Sequence, residues 1–77
     1  MTTIQVRLEN EKGYLHGRYV FVLNEMPSEE KFFKIIYTVA NVDDNLFKID
    51  GRMNLKLFED LVGKDVIIDL EYKLCRK

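Results

Sequence analysis

The chain has no tryptophan, one proline, one histidine, one cysteine and four glycines, and each scarcity removes a class of function. A single thiol, Cys75, closes no internal disulfide, and one Cys with one His is a poor ligand set for a metal. The glycines, at positions 13, 17, 51 and 63, never cluster, so no phosphate-cradling loop is written locally. No apolar run approaches the ~20 residues of a membrane-spanning helix; the longest, Tyr19–Leu23, is strand-length. The N-terminus has no basic stretch followed by an apolar one, so no secretion leader is expected. Charge of one sign is also lacking. Twelve Lys and Arg stand against thirteen Asp and Glu, for a net charge of −1, which removes the global basic field of most duplex-DNA binders. These absences carry four expectations: a reducing, cytoplasmic setting, no membrane partner, no metal and no cofactor.

What is present suits one small domain over residues 1–77. The chain is 47% hydrophobic and 12% aromatic, too apolar for disorder. A chain of this size buries roughly 63% of its unfolded surface on folding, which leaves no room for both a full core and a cofactor-sized cavity.

Ile4, Val6 and Leu8 alternate with Gln5, Arg7 and Glu9, the period of a half-buried strand. Asn10–Gly13 supplies turn residues, and a longer strand follows from Tyr14 to Asn24. Within it Leu15, Tyr19, Phe21 and Leu23 mark one face, and His16, Arg18, Val20 and Val22 the other. Gly17 suggests a bend or bulge, as a closing barrel needs.

Residues Lys31–Val42 satisfy two periods. Phe32, Ile35, Ile36 and Val39 fit a helix behind the start signal Pro27-Ser28-Glu29-Glu30. Phe33, Ile35, Tyr37 and Val39 fit a strand, and the strand-forming residue types decide for a strand here. Asp43-Asp44-Asn45 then separates it from a strand at Leu46–Ile49. Asn54 caps a short helix over Asn54–Val62, with Gly63 at its C-terminal stop; the competing pattern is a strand in which Met53, Leu55 and Leu57 alternate. Val66, Ile68, Leu70, Tyr72 and Leu74 define a terminal strand.

The predicted order is β-β-β-β-α-β. It suits a mainly β domain, a five-stranded, partly closed barrel of SH3-like or OB-like type. The alternative is an α+β roll in which residues 28–42 form the helix. The stretch Leu57–Val66 resembles the helix–turn–strand segment of many small barrel modules, phage single-strand-binding proteins among them. It covers about ten residues and carries no family's functional positions with it.

A nucleophile with a base would have to come from Cys75 and His16, and no oxyanion-binding glycine loop accompanies either. The carboxylate pairs Glu29-Glu30, Asp43-Asp44 and Glu59-Asp60 read as solvated charge at turns and helices. No catalytic residue is assigned. Two binding surfaces are. Val20, Val22, Ile36 and Ile67 are apolar residues on strand faces opposite the expected interior, the mark of a protein-partner or homodimer surface. Tyr14, His16 and Arg18 at alternating positions, joined by Lys34, would make a stacking and cationic platform for single-stranded DNA or RNA. The leading expectation is a non-enzymatic adaptor or inhibitor that covers another protein's surface, of the kind phage-type accessory factors use. The alternative is an OB-like single-strand-binding module.

Overall fold

A computed structural model describes residues 1–77. Its elements run β1 (Thr2–Glu9), β2 (Leu15–Leu23), α1 (Glu29–Ala40), β3 (Phe47–Asp50), α2 (Leu55–Leu61) and β4 (Val66–Arg76). They form a mainly β α+β fold: one four-stranded sheet in the order β2-β1-β4-β3 with two helices. β1 pairs antiparallel with β2 and parallel with β4, and β3 lies antiparallel to β4. The first and last strands of the chain therefore occupy the centre of the sheet.

Two expectations are corrected. Residues 29–40 form a helix in place of the strand expected over Lys31–Val42, and the sheet has four strands and two free edges in place of a five-stranded barrel. The element order is β-β-α-β-α-β, the α+β alternative in outline. The ends of α1 explain the first correction. Ser28 accepts a hydrogen bond from the Lys31 amide at 3.1 Å, and Glu29 and Glu30 sit in the positively polarised first turn. At the other end Asn41 adopts the left-handed conformation, φ 57° and ψ 44°, and its amide reaches back to the Thr38 and Tyr37 carbonyls. Between the caps, Phe32 and Ile36 are fully buried, with Phe33, Tyr37 and Ala40 beside them against the core, and Val39 is left exposed. The period that burial selects is 3.6, not 2. Losing that strand leaves too few to close a barrel.

The remaining local expectations fall close to the observed elements. Asn54 caps α2 by accepting from the Leu57 amide at 3.1 Å. The register between β1 and β2 shifts at Leu8/Glu9, which pair with Gly17 and Leu15 and leave His16 as the extra residue. The expected bulge at Gly17 is therefore present. The Tyr19 ring lies across Gly17, where a Cβ would collide with the phenol.

The core lies between the sheet and the helices. Ile4, Val6 and Leu8 of β1 and Tyr72 and Leu74 of β4 pack with Phe32 and Ile36 of α1, Phe58 of α2 and Met53. Phe32 is the hub of its aromatic contacts, 5.6 Å from Phe21, 6.0 Å from Phe58 and 6.3 Å from Phe33 between ring centroids. Thr2, the one buried polar residue, directs its hydroxyl to the carbonyls of Leu61 and Lys64 and so ties the start of β1 to the end of α2. No helix is long and apolar enough to cross a membrane.

Candidate functional site

Both helices send their buried residues, Phe32, Ile36 and Phe58, into the core on the same side of the sheet, so the outward residues of its three long strands have no layer over them. Strand alternation and register arrange these residues in rows across β2, β1 and β4. The first row is Val22, Thr3 and Ile67; the second is Val20, Gln5 and Asp69; the third is Arg18, Arg7 and Glu71. Leu15, Glu9 and Lys73 follow beyond the bulge. The face grades from apolar at one end to charged in the middle. Val20, Val22 and Ile67 are 65%, 54% and 66% exposed, and they are near neighbours rather than scattered single residues.

The charges on this face are unevenly satisfied. The Arg7 guanidinium lies 3.2 Å from Glu9 and 3.9 Å from Glu71, while its Nε is buried without a partner. Arg18 and Asp69, in adjacent rows on opposite flanks of β1, have no ion-pair partner within 4.0 Å. A shallow groove of 290 Å³ runs over the middle rows, lined by Gln5, Arg7, Arg18, Val20, Asp69 and Glu71. It is an open trough with a mixed-charge floor, below the usual size of an enclosed small-molecule site.

Three of the four residues expected to make a protein-binding surface are thus brought together: Val20, Val22 and Ile67. The fourth, Ile36, is not. It is 0% exposed in the core beneath the opposite sheet face, because α1 turns it inward. Thr3, Gln5 and Arg7 complete the face and were not singled out from sequence. Their signal was the polar phase of β1, which cannot be placed beside β4 until the parallel pairing is known.

The residues of the expected nucleic-acid platform lie on separate surfaces. Arg18 is on the open face. Tyr14 is 70% exposed in the β1–β2 connection, where its amide donates to Asn10 Oδ1 at 3.1 Å. The bulge turns His16 toward the helix layer, with Nε2 3.4 Å from the Ala40 carbonyl oxygen. Lys34 is on α1, paired with Glu30 at 3.8 Å. His16 borders a second hollow of 330 Å³ with Glu11, Asn41, Asp43 and Phe47. At that end of the molecule the chain's own Arg76 approaches Glu11 at 3.7 Å and lies 6.0 Å from the centre of the Phe47 ring.

Cys75 is half-buried on β4 opposite Lys48, far in sequence from His16 and not hydrogen-bonded to it. Of the carboxylate pairs, Glu29-Glu30 serves the start of α1, and Asp43 accepts from the Asn45 amide at 2.9 Å to shape the loop before β3. No three His, Cys, Asp or Glu side chains converge on a common point. Comparison with protein families, with curated proteins and with solved structures returns no match for this chain.

Proposed function

We propose that this chain is a non-enzymatic protein-interaction module, an adaptor or inhibitor in a reducing cytoplasm, that binds through the open face of its sheet. The observation that carries the reading is the contiguous exposure of Val20, Val22 and Ile67 on a face that neither helix covers. Three large aliphatic side chains left in water each forgo roughly 1–2 kcal/mol of burial, and a clustered apolar patch rimmed by charge is the ordinary form of a protein-docking surface. The matching surface has an apolar centre and presents a carboxylate to Arg18. A single-stranded nucleic-acid role has less support, since Tyr14, His16, Arg18 and Lys34 share no face and Asp69 and Glu71 place negative charge on the same face as Arg18.

The test is affinity capture with the immobilised chain and its Val22→Lys and Ile67→Lys variants. Wild type should retain a protein, untagged copies of the chain included, and both variants should release it while keeping the wild-type circular dichroism. A protein retained equally by all three, or no retained protein at all, would remove the reading. Labelled single-stranded oligonucleotides at low salt form the second arm; the nucleic-acid alternative gains only if they bind and Arg18→Ala weakens that binding.

A further inference from the structure

In the middle rows of the open face the charges are opposite in sign on the two flanks. In the third row Arg18 on β2 and Glu71 on β4 stand either side of Arg7 on β1. Arg18 has no carboxylate within reach, and Glu71 is held only loosely, its side chain 76% exposed and 3.9 Å from Arg7. Asp69, in the next row on β4, adds a carboxylate with no ion-pair partner on that flank. Resting on the reading that this face binds protein, we propose that its occupant is a second copy of the chain. The two copies stack face to face about a two-fold axis that runs over β1 and parallel to it.

A half-turn about such an axis exchanges the β2 and β4 flanks and leaves the height along the strands unchanged. Because β2, β1 and β4 are aligned row by row, Arg18 of each copy comes over Glu71 of the other. Val22 and Ile67 of both copies gather at one end, Val20 of each copy comes over Asp69 of the other at some cost to the interface, and every contact occurs twice by symmetry. Thr3, Gln5 and Arg7 lie near the axis and meet their own counterparts. The Gln5 amides can exchange hydrogen bonds there, and each Arg7 keeps Glu9 beside it at 3.2 Å. Sheets stacked face to face sit about 10 Å apart with strand directions within about 30° of each other, a gap that an arginine and a glutamate close together.

A two-fold axis across the strands does worse. It lays β2 over β2, so that Arg18 meets Arg18 or a valine, and it sets the carboxylates of β4 against each other or against Ile67. The axis along β1 brings each Arg18 to a carboxylate, which the axis across the strands does not.

The available area suits a weak dimer. Three strands about 4.8 Å apart and about eight residues long cover a footprint of roughly 380 Å² per copy, or about 760 Å² in the pair. That is below the ~1,200 Å² of a standard complex and puts the dissociation constant at tens of micromolar or weaker.

The experiment is analytical ultracentrifugation of the purified full chain from about 1 to about 200 μM. Wild type should dimerise within this range. Arg18→Glu and Glu71→Arg, each alone, set like charges across the interface and should weaken the dimer at least about tenfold. The double variant Arg18→Glu/Glu71→Arg should return it to within about threefold of wild type, as a reciprocal pair requires. Circular dichroism confirms the fold of each variant, and both positions are exposed, so folding is not at stake. A wild type that stays monomeric, single variants that associate normally, or a double variant as weak as its parents would each overturn the proposal. A monomeric wild type removes the second copy as occupant but not the face as a protein-binding surface, which the capture experiment decides separately.

Discussion

Tyr72 is 3% exposed, and its hydroxyl has no hydrogen-bond partner. The ring fills the core, edge-on to Phe33 at 5.3 Å, and also lies against Gly51, whose φ of +135° suits glycine and whose missing Cβ makes room for it. Burial first, and then the nearby Glu29 carboxylate, push the phenol up to about 12. Because the folded-state value lies above the usual one near ~10, the stabilisation is complete below that value and fades as pH rises toward 12. Denaturant titrations should therefore show wild type losing roughly 1 kcal/mol between pH 9 and pH 11 that Tyr72→Phe does not lose. At neutral pH the same variant should be as stable as wild type or more stable by up to about 1 kcal/mol, because it removes a buried, unpaired hydroxyl. A clear loss of stability at neutral pH would mean that the hydroxyl is satisfied in solution.

At the scale of the element, α1 shows how end signals and a buried stripe overrule residue preference. Its interior is rich in Phe, Ile, Tyr, Thr and Val, all better suited to strands. The caps and the burial of Phe32 and Ile36 hold it helical. Ser28→Ala should cost about 1 kcal/mol, and Asn41→Gly, relieving a left-handed backbone on a residue with a Cβ, should gain a few tenths. In a domain of this size those changes appear as a fall of about 4–8 °C and a rise of about 1–4 °C in thermal midpoint. β2 poses a different problem. It is a nine-residue edge strand, and the bulge around His16 together with the cation Arg18 are the features along it that discourage indiscriminate pairing with other strands.

For the whole molecule, the decisive property is that the fold is one sheet with helices on one side only. Nine buried apolar residues make the core, and a second apolar set lies outside it. Substitutions should divide accordingly. Ile36→Ala opens a cavity beneath α1 and should cost about 2–5 kcal/mol. Val22→Lys and Ile67→Lys should change monomer stability by no more than about 0.5–1 kcal/mol and act on association instead. Chemical denaturation of the three variants separates the classes. An Ile67→Lys chain that unfolds would mean that something covers this face.

Much of the local structure was legible in the residues because its causes are local. Alternation placed β1, β2 and β4, Asn54 and Gly63 bounded α2, and Gly17 marked the bulge, since each depends on contacts a few positions apart. Val20, Val22 and Ile67 could be named as surplus apolar residues by the same reasoning. Residues 29–40 could not be resolved that way, because Ile35 and Val39 satisfy both a helical and a strand period. Only the position of the core decided that Phe32 and Ile36 turn inward together. The parallel pairing of β1 with β4 joins residues more than sixty positions apart, and nothing in either strand specifies its partner. That pairing makes an open sheet in place of a barrel. It also sets Val22 level with Ile67 and Arg18 level with Glu71, so the sequence supplied the side chains of the candidate surface and the tertiary structure alone made them neighbours.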